Sequence, residues 1–405
     1  MITQEDVTRQ IVITAEGRDA AISIERTMRE FGHLEPRSIG EWDFALPTDE
    51  HGQSPRDFAF RTVQLNASPP DEIIERVNRQ KGIRVEPNTI LSAAARPVDP
   101  LYDEQWALPR MAAEPAWDCV AATEPRHPVL VAIVDSGISA APPHPDLPAV
   151  DARSLRFIDP APDTFIEDED GHGTFLAGTI AAVSSNAQGI ASITWRIRVN
   201  LLVLKFYDPW SVMTGANAAR AIAYAAAQHA QVINVSWHIG MDSLFLRLAV
   251  LFATARDAVF VAAAGNEGTD NDVLPIWPAS YVAPNIVSVM ATTRISTRPI
   301  DLLDDKPGFS NYGAATVHLA APGVGILSTH YFLQTPKYRR YTGTSASAAH
   351  VSAAAAVIRG LRPAWTAEQV RRRLMATVDP SRHLRCIAGG RLNLRNAVCG
   401  LPVSG

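Results

Sequence analysis

Val129-Leu130-Val131-Ala132-Ile133-Val134-Asp135-Ser136-Gly137 is an apolar run that ends on a carboxylate and a turn. Such a run, rich in β-branched residues and without polar alternation, reads as a strand buried on both faces, as in the middle of a parallel sheet. Ser136-Gly137 supplies the turn, so Asp135 sits at the carboxyl edge of that sheet. Outward from it, further Ala/Val/Ile-rich runs alternate with helical stretches. At 405 residues and 47% hydrophobic, the chain is long enough for one large core and a smaller module. The expected fold class is α/β, a doubly wound, mostly parallel sheet flanked by helices.

Two other segments carry chemistry at their edges. His172 lies between Gly171 and Gly173, which let the backbone pack closely, and Thr174 to Val183 follows with helical periodicity. The imidazole is therefore presented on the first turn of a helix. Ser345 follows Gly343-Thr344 and opens an Ala-rich stretch, Ala346 to Leu361, of high helix propensity. A hydroxyl there lies where unpaired N–H groups and the helix dipole favour negative charge. An acid, a base and a nucleophile thus occur in the order Asp, His, Ser. Each unrelated Ser-His-Asp lineage keeps its own order. Taken singly, the three residues read as a turn former, a loop histidine and a helix cap. The other histidines, including His144, His229, His238, His318 and His350, read as structural.

These segments resemble the subtilisin-like serine proteases, together with Ala262-Ala263-Ala264-Gly265-Asn266-Glu267-Gly268 and Val232-Ile233-Asn234-Val235-Ser236-Trp237. His144-Pro145-Asp146-Leu147, Trp277-Pro278-Ala279-Ser280-Tyr281 and Gly389-Gly390-Arg391-Leu392-Asn393 extend the resemblance over roughly residues 97 to 400. The resemblance implies a serine endopeptidase in which Asp135 orients His172, His172 deprotonates Ser345, and Ser345 forms an acyl-enzyme. It implies that Asn266 donates its amide to the oxyanion, a contact worth ~3 to 4 kcal/mol. Ser236, Trp237 and His238 on one side, and Ala263, Ala264 and Gly265 on the other, are the implied substrate-binding segments. No cofactor is implied for catalysis. A subset of the family holds a structural Ca²⁺ with acids matching Asp99 and Asp146 and an Asn matching Asn186, and such hard oxygen donors suit Ca²⁺.

Departures from the family pattern bear on specificity. Ala349 stands where the family has Pro, which gives a straighter and better-bonded helix behind Ser345. Trp237-His238-Ile239-Gly240 replaces a segment of smaller residues. Either His238 and Ile239 narrow the S1 entrance and disfavour a large P1 side chain, or the segment bulges and points them to solvent. Asp159, Asp163, Glu167, Asp168, Glu169 and Asp170 precede the base. They either raise the His172 pKa and attract a basic substrate residue, or form a solvated charged loop.

The first part of the chain has another character. Gln10 to Thr14 reads as a strand, Arg18 to Phe31 as an amphipathic helix, Phe58 to Asn66 as a strand, Pro70 to Lys81 as a helix and Ile83 to Asn88 as a strand. This is a β-α-β-β-α-β order with one strand unclear, a small α+β ferredoxin-like module. Propeptides of the family look like this and often end in a segment resembling Val85-Glu86-Pro87-Asn88. Residues 1–92 are therefore expected to be a propeptide-like chaperone and intramolecular inhibitor, 93–105 a linker, and 106–405 the catalytic domain. Processing is expected between Asn88 and Val98.

A net charge of −5 gives no argument for nucleic acid or an anionic membrane. No apolar run reaches the ~18 residues of a membrane span. Residues 1–10 lack a basic region followed by an apolar core, so cytoplasmic residence is the expectation, with secretion requiring a missing or unconventional signal. Of the three cysteines, Cys119, Cys386 and Cys399, the last two are near enough to pair, but reduced thiols are expected. The expected partner is a protein or peptide substrate. A peptide ligase of the same fold and a silent binding module are the alternatives.

Overall fold

The computed structural model of the chain describes residues 10–16, 20–32, 36–44, 58–65, 71–79, 83–87, 96–158, 162–210, 213–294, 304–332 and 335–401. The chain divides into two compact units, Met1–Ala93 and Ala94–Gly405. The segment expected to be processed falls on residues 88–98, of which 88–95 lie outside the described residues, as does Asp159.

The first unit comprises β1 (Gln10–Glu16), α1 (Ala20–Glu30), β2 (Arg37–Phe44), β3 (Phe58–Gln64), α2 (Asp71–Asn78) and β4 (Ile83–Pro87). Its antiparallel pairs β2–β3, β3–β1 and β1–β4 give the sheet order β2-β3-β1-β4. That is the ferredoxin-like arrangement. The strand unclear in the sequence is β2. A register shift between Ser38 and Gly40 breaks its period-two pattern. Ile13, Ile24, Phe31, Val63, Val77 and Val85 form the core, which the apolar faces of both helices cover.

The second unit is built on β5 (Val129–Asp135), all seven residues of which are buried. Around it run β6 (Leu155–Arg156), β7 (Val199–Lys205), β8 (Val232–Val235), β9 (Val259–Ala263), β10 (Ile286–Arg294), β11 (Asp304–Asp305) and β12 (Leu319–Pro322). A hairpin, β13 (Ile326–Phe332) with β14 (Thr335–Tyr341), and a short pair, β15 (Asp379–Pro380) with β16 (Gly390–Arg391), complete the strands. The main sheet has the order β15-β16-β12-β10-β9-β8-β5-β7-β6, with parallel pairing from β16 to β6. The helices are α3 (Ala107–Arg110), α4 (Ala113–Ala121), α5 (His172–Ala181), α6 (Gly215–Ala227), α7 (Leu244–Ala255), α8 (Thr344–Leu361), α9 (Ala367–Ala376) and α10 (Leu394–Val398).

Side chains alternate across β5. Val129, Val131 and Ile133 join one core with α4, α5 and α8, while Leu130, Ala132 and Val134 join the other with α6 and α7. The sheet is therefore covered on both faces, as a continuous apolar strand requires. Helix α8 runs unbroken for 18 residues through the fully buried Ala349. The Ala in place of Pro keeps its hydrogen-bond ladder intact.

Within the segment expected as a linker, Asp99, Tyr102 and Gln105 are buried, and the Gln105 amide donates to Ala191 O while its oxygen accepts Ala191 N. The expectation of reduced thiols is corrected. Cys119 and Cys399 form a disulfide across 280 residues of chain, tying α4 to the residue after α10, and Cys386 is the buried free thiol. Sequence proximity favoured Cys386 with Cys399, but the fold brings α4 and α10 together. Among the described residues, no helix is long and apolar enough to cross a membrane.

Candidate active site

Strand β5 delivers Asp135 to the carboxyl edge of the sheet, where its side chain is 1% exposed. Asp135 Oδ1 accepts the backbone N–H of Ser136 at 2.9 Å, the Tyr207 hydroxyl at 3.3 Å and His172 Nδ1 at 2.7 Å. His172 opens α5, which comes against β5 because Gly173 touches Gly137: a Cβ on Gly173 would lie 2.1 Å from Gly137 O.

Asp168 locks this approach. Its Oδ1 accepts from the Ser136 hydroxyl and from Gly171 N, both at 2.8 Å, and its Oδ2 accepts Thr174 N at 2.8 Å and the Thr174 hydroxyl at 2.6 Å. One buried carboxylate thus satisfies orphan N–H groups of α5 and ties them to the turn after Asp135.

Beside Asp168, the described part of the acidic stretch is partly exposed but mostly partnered. Asp163 pairs with Arg156, Glu167 accepts from Ala140 N and Ala141 N, and Glu169 pairs with the fully buried Lys205 at 3.0 Å. Burial pulls the His172 imidazole down, but the charge and hydrogen bond of Asp135, with Asp170 and Asp168 behind it, hold its pKa above the ordinary 6.5. Burial pushes Asp170 up, with the Asp168 charge adding to it.

Ser345 is the second residue of α8 and half-buried. Its hydroxyl donates to Ser236 O at 3.0 Å, and the Ser236 hydroxyl returns a bond to Ser345 O at 3.2 Å. Asn234 Nδ2 donates to the Ser236 hydroxyl from behind, at 3.0 Å. No hydrogen bond joins Ser345 to His172 among the described residues, and bonds of this kind tighten when substrate arrives.

Asn266 is exposed at the end of the Gly-rich loop after β9. Its Oδ1 accepts Thr344 N at 2.9 Å and the Thr344 hydroxyl at 3.1 Å, which leaves Nδ2 to face outward as a donor. Gly265 N donates to the same Thr344 hydroxyl at 3.1 Å. Ala263 and Ala264 are buried, with Ala264 N donating to Val289 O and Asn271 Nδ2 donating to Ala264 O.

Trp237 departs from its expected place among the substrate-binding side chains. It is 7% exposed, its indole N–H donates to Val134 O at 2.8 Å, and its ring packs on Phe206. It braces the end of β5 from the core side. His238 and Ile239 do not bulge into solvent: Ile239 exchanges two backbone bonds with Trp277, at 2.8 and 3.0 Å, and His238 Nε2 meets Glu267 Oε1 at 3.1 Å. Tyr207, Thr344 and Glu267 are site residues that the sequence reading did not assign. Thr344 adjoins Ser345 and Glu267 adjoins Asn266, so proximity was their available signal, whereas nothing in the spacing points to Tyr207.

Asp99, Asp146 and Asn186 are brought together. Ser185 N and Asn186 N donate to Asp99, Ile190 N donates to Asp146, and Asn186 Nδ2 donates to Asp146 Oδ1 at 2.9 Å. Burial pushes both carboxyls upward, Asp146 to about 6. Two buried carboxylates with hard oxygens fit the charge and chemistry of Ca²⁺. No group of three or more His, Cys, Asp and Glu that could hold a metal gathers among the described residues, here included. His144 Nε2 donates to Lys337 O and His350 Nδ1 to Pro322 O, both residues buried; burial lowers His350 to about 4 and His318 to about 3.

A model of the Subtilase family (Peptidase S8) matches residues 126–394. A thermophilic serine proteinase of Bacillus sp. (strain AK1) is 34% identical over 274 residues, covering 67% of this chain and 62% of that protein. Thermitase of Thermoactinomyces vulgaris is 34% identical over 263 residues, covering 65% of this chain and 85% of its own length. Among solved structures, a protease of Pseudoalteromonas arctica superimposes with a TM-score of 0.64 at 25% identity, over 75% of this chain and 99% of that one.

Proposed function

The chain belongs to the subtilase family, and from that membership we propose that it is a serine endopeptidase working through Asp135, His172 and Ser345. The observation that carries this reading is the 2.7 Å bond between His172 Nδ1 and Asp135 Oδ1, which fixes the tautomer that leaves Nε2 as a base. His172 Nε2 takes the Ser345 proton as Oγ attacks the scissile carbonyl carbon. The oxyanion accepts from Asn266 Nδ2 and from the Ser345 backbone N–H at the start of α8. His172 then returns the proton to the departing amine. Water, deprotonated by the same nitrogen, hydrolyses the acyl-enzyme and regenerates Ser345. Asp135 stabilises the imidazolium through its bond to Nδ1. These steps use only side chains and backbone of this chain.

We read residues 1–92 as a propeptide-like inhibitor of this site, a reading supported by the ferredoxin-like strand order of the first unit. N-terminal sequencing of active enzyme tests it, since an intact N-terminus at full activity removes it. Asp99, Asp146 and Asn186 are the residues that would hold a structural Ca²⁺, which would supply the charge that the two buried carboxylates lack. An oxidising compartment suits a chain whose Cys119 and Cys399 are bonded, whereas the expected cytoplasmic residence keeps thiols reduced.

The decisive experiment is labelling with a fluorophosphonate, followed by mass spectrometry of peptide products. Labelling of wild type but not of Ser345→Ala, with hydrolysed products, supports the reading. Unlabelled wild type overturns it, and ligated products replace hydrolysis by transpeptidation.

A further inference from the structure

A closed ring of contacts lies beside the proposed nucleophile. The reacting carbonyl must sit about 3 Å from both Ser345 Oγ and the Asn266 amide. His172 serves the leaving amine, so the acyl side chain is directed away from it, between the segment leaving Ser236 and the loop around Asn266. These two segments are joined in three ways. Ile239 and Trp277 exchange backbone bonds, which fastens the first segment to the one carrying Ile276. Ile276 reaches under the second segment: its Cδ1 lies 2.6 Å from where a Cβ on Gly265 would stand, at a residue whose φ of +105° itself favours glycine. His238 Nε2 then meets Glu267 Oε1 at 3.1 Å, linking the first segment to the second.

Glu267 is held for this contact. Its Oε2 accepts Asn311 Nδ2 at 2.9 Å, while Asn311 Oδ1 accepts Glu267 N at 2.9 Å and Thr269 N at 3.0 Å. Asn311 is fully buried and also donates to Asn271 Oδ1. Glu267 is therefore braced from beneath and cannot swing aside without breaking bonds to a core residue.

We propose that His238, Glu267 and Ile276 limit the P1 side chain to small residues, Gly, Ala or Ser, so that the chain cleaves after small residues only. This rests on the reading of Ser345 as the nucleophile. A branched or aromatic P1 group meets the Ile276 methyl below and the His238–Glu267 contact across, and has to displace both. A pocket that differs by a single methylene already discriminates by about 10- to 200-fold.

The test uses the full chain and peptides that differ only at P1, with Ala and Phe compared as a ratio of kcat/KM. The expected wild-type result favours Ala by at least about tenfold. Ile276→Gly and His238→Gly are each expected to raise the Phe-to-Ala ratio by about tenfold, and either variant suffices if the other fails to fold. Fluorophosphonate labelling of Ser345 is read in parallel. Labelled wild type that cleaves after Phe as fast as after Ala overturns the small-P1 assignment alone. Unlabelled wild type that cleaves neither peptide overturns the catalytic reading beneath it. Variants that label but keep the wild-type ratio also overturn the assignment.

Discussion

Ser345 and Ser236 hold each other by reciprocal hydrogen bonds, Ser345 Oγ to Ser236 O at 3.0 Å and Ser236 Oγ to Ser345 O at 3.2 Å. The hydroxyl proposed to attack is thus parked on a neighbouring carbonyl. To serve the proposed reaction it has to leave that carbonyl for His172. Substrate that pairs with the Ser236 segment competes for that carbonyl and favours the move.

As the proposed oxyanion donor, Asn266 is expected to act on kcat apart from substrate binding. Asn266→Ala removes Nδ2 and also the acceptor of Thr344 N. The expected outcome is a kcat lower by about a hundred- to a thousandfold with KM little changed. Steady-state kinetics on one peptide decide it, and a change confined to KM assigns Asn266 to ground-state binding instead.

The proposed base requires neutral His172, so the acid limb of kcat/KM follows its pKa. Asp135, Asp170 and Asp168 hold that pKa above 6.5. Asp170→Asn keeps an acceptor for His172 N but removes the charge, so the limb is expected to move to lower pH. The alkaline side is not expected to change. A pH profile with an unmoved acid limb assigns the raised pKa to Asp135 and Asp168 alone.

Asp146 gives a pH dependence of stability. Its carboxyl is pushed to about 6 in the folded chain against an ordinary 3.8, so the folded state binds more protons between those values. This group's contribution to stability is therefore greatest below about pH 4 and is lost as pH rises through 6. Calcium at neutral pH is expected to restore it and a chelator to remove it. Asp146→Asn is expected to flatten both responses, read as melting temperature against pH with and without Ca²⁺.

The Cys119–Cys399 bond closes a 280-residue span. Reduction, or Cys399→Ser, is expected to cost about 2–5 kcal/mol of stability, measured as a shift in the urea midpoint. Labelling at Cys119 in protein taken from its native host is the compartment test: alkylation without prior reduction is the cytoplasmic outcome.

The parts legible in the sequence are those encoded locally. Asp135 closes its own strand, His172 and Ser345 open their own helices, and Asn266 sits in a Gly-rich loop, so a few neighbouring residues declare each one. Trp237 shows the limit: its position after Ser236 is local, but whether the indole faces substrate or core depends on Val134 and Phe206, distant in the chain. Asp163 to Asp170 show it again. The sequence leaves them between a charged loop and a role beside His172, because Lys205 and the Ala140 and Ala141 N–H groups that meet Glu169 and Glu167 come from other segments. The disulfide was misread for the same reason, since no spacing rule reaches 280 residues.

Thr344 joins the proposed nucleophile to the proposed oxyanion donor. Its N–H and hydroxyl both end on Asn266 Oδ1, its oxygen receives Gly265 N, and its peptide bond leads directly to Ser345. The proposed attacking oxygen and the proposed oxyanion amide are therefore coupled through a single residue, so a change at Thr344 is felt by both at once.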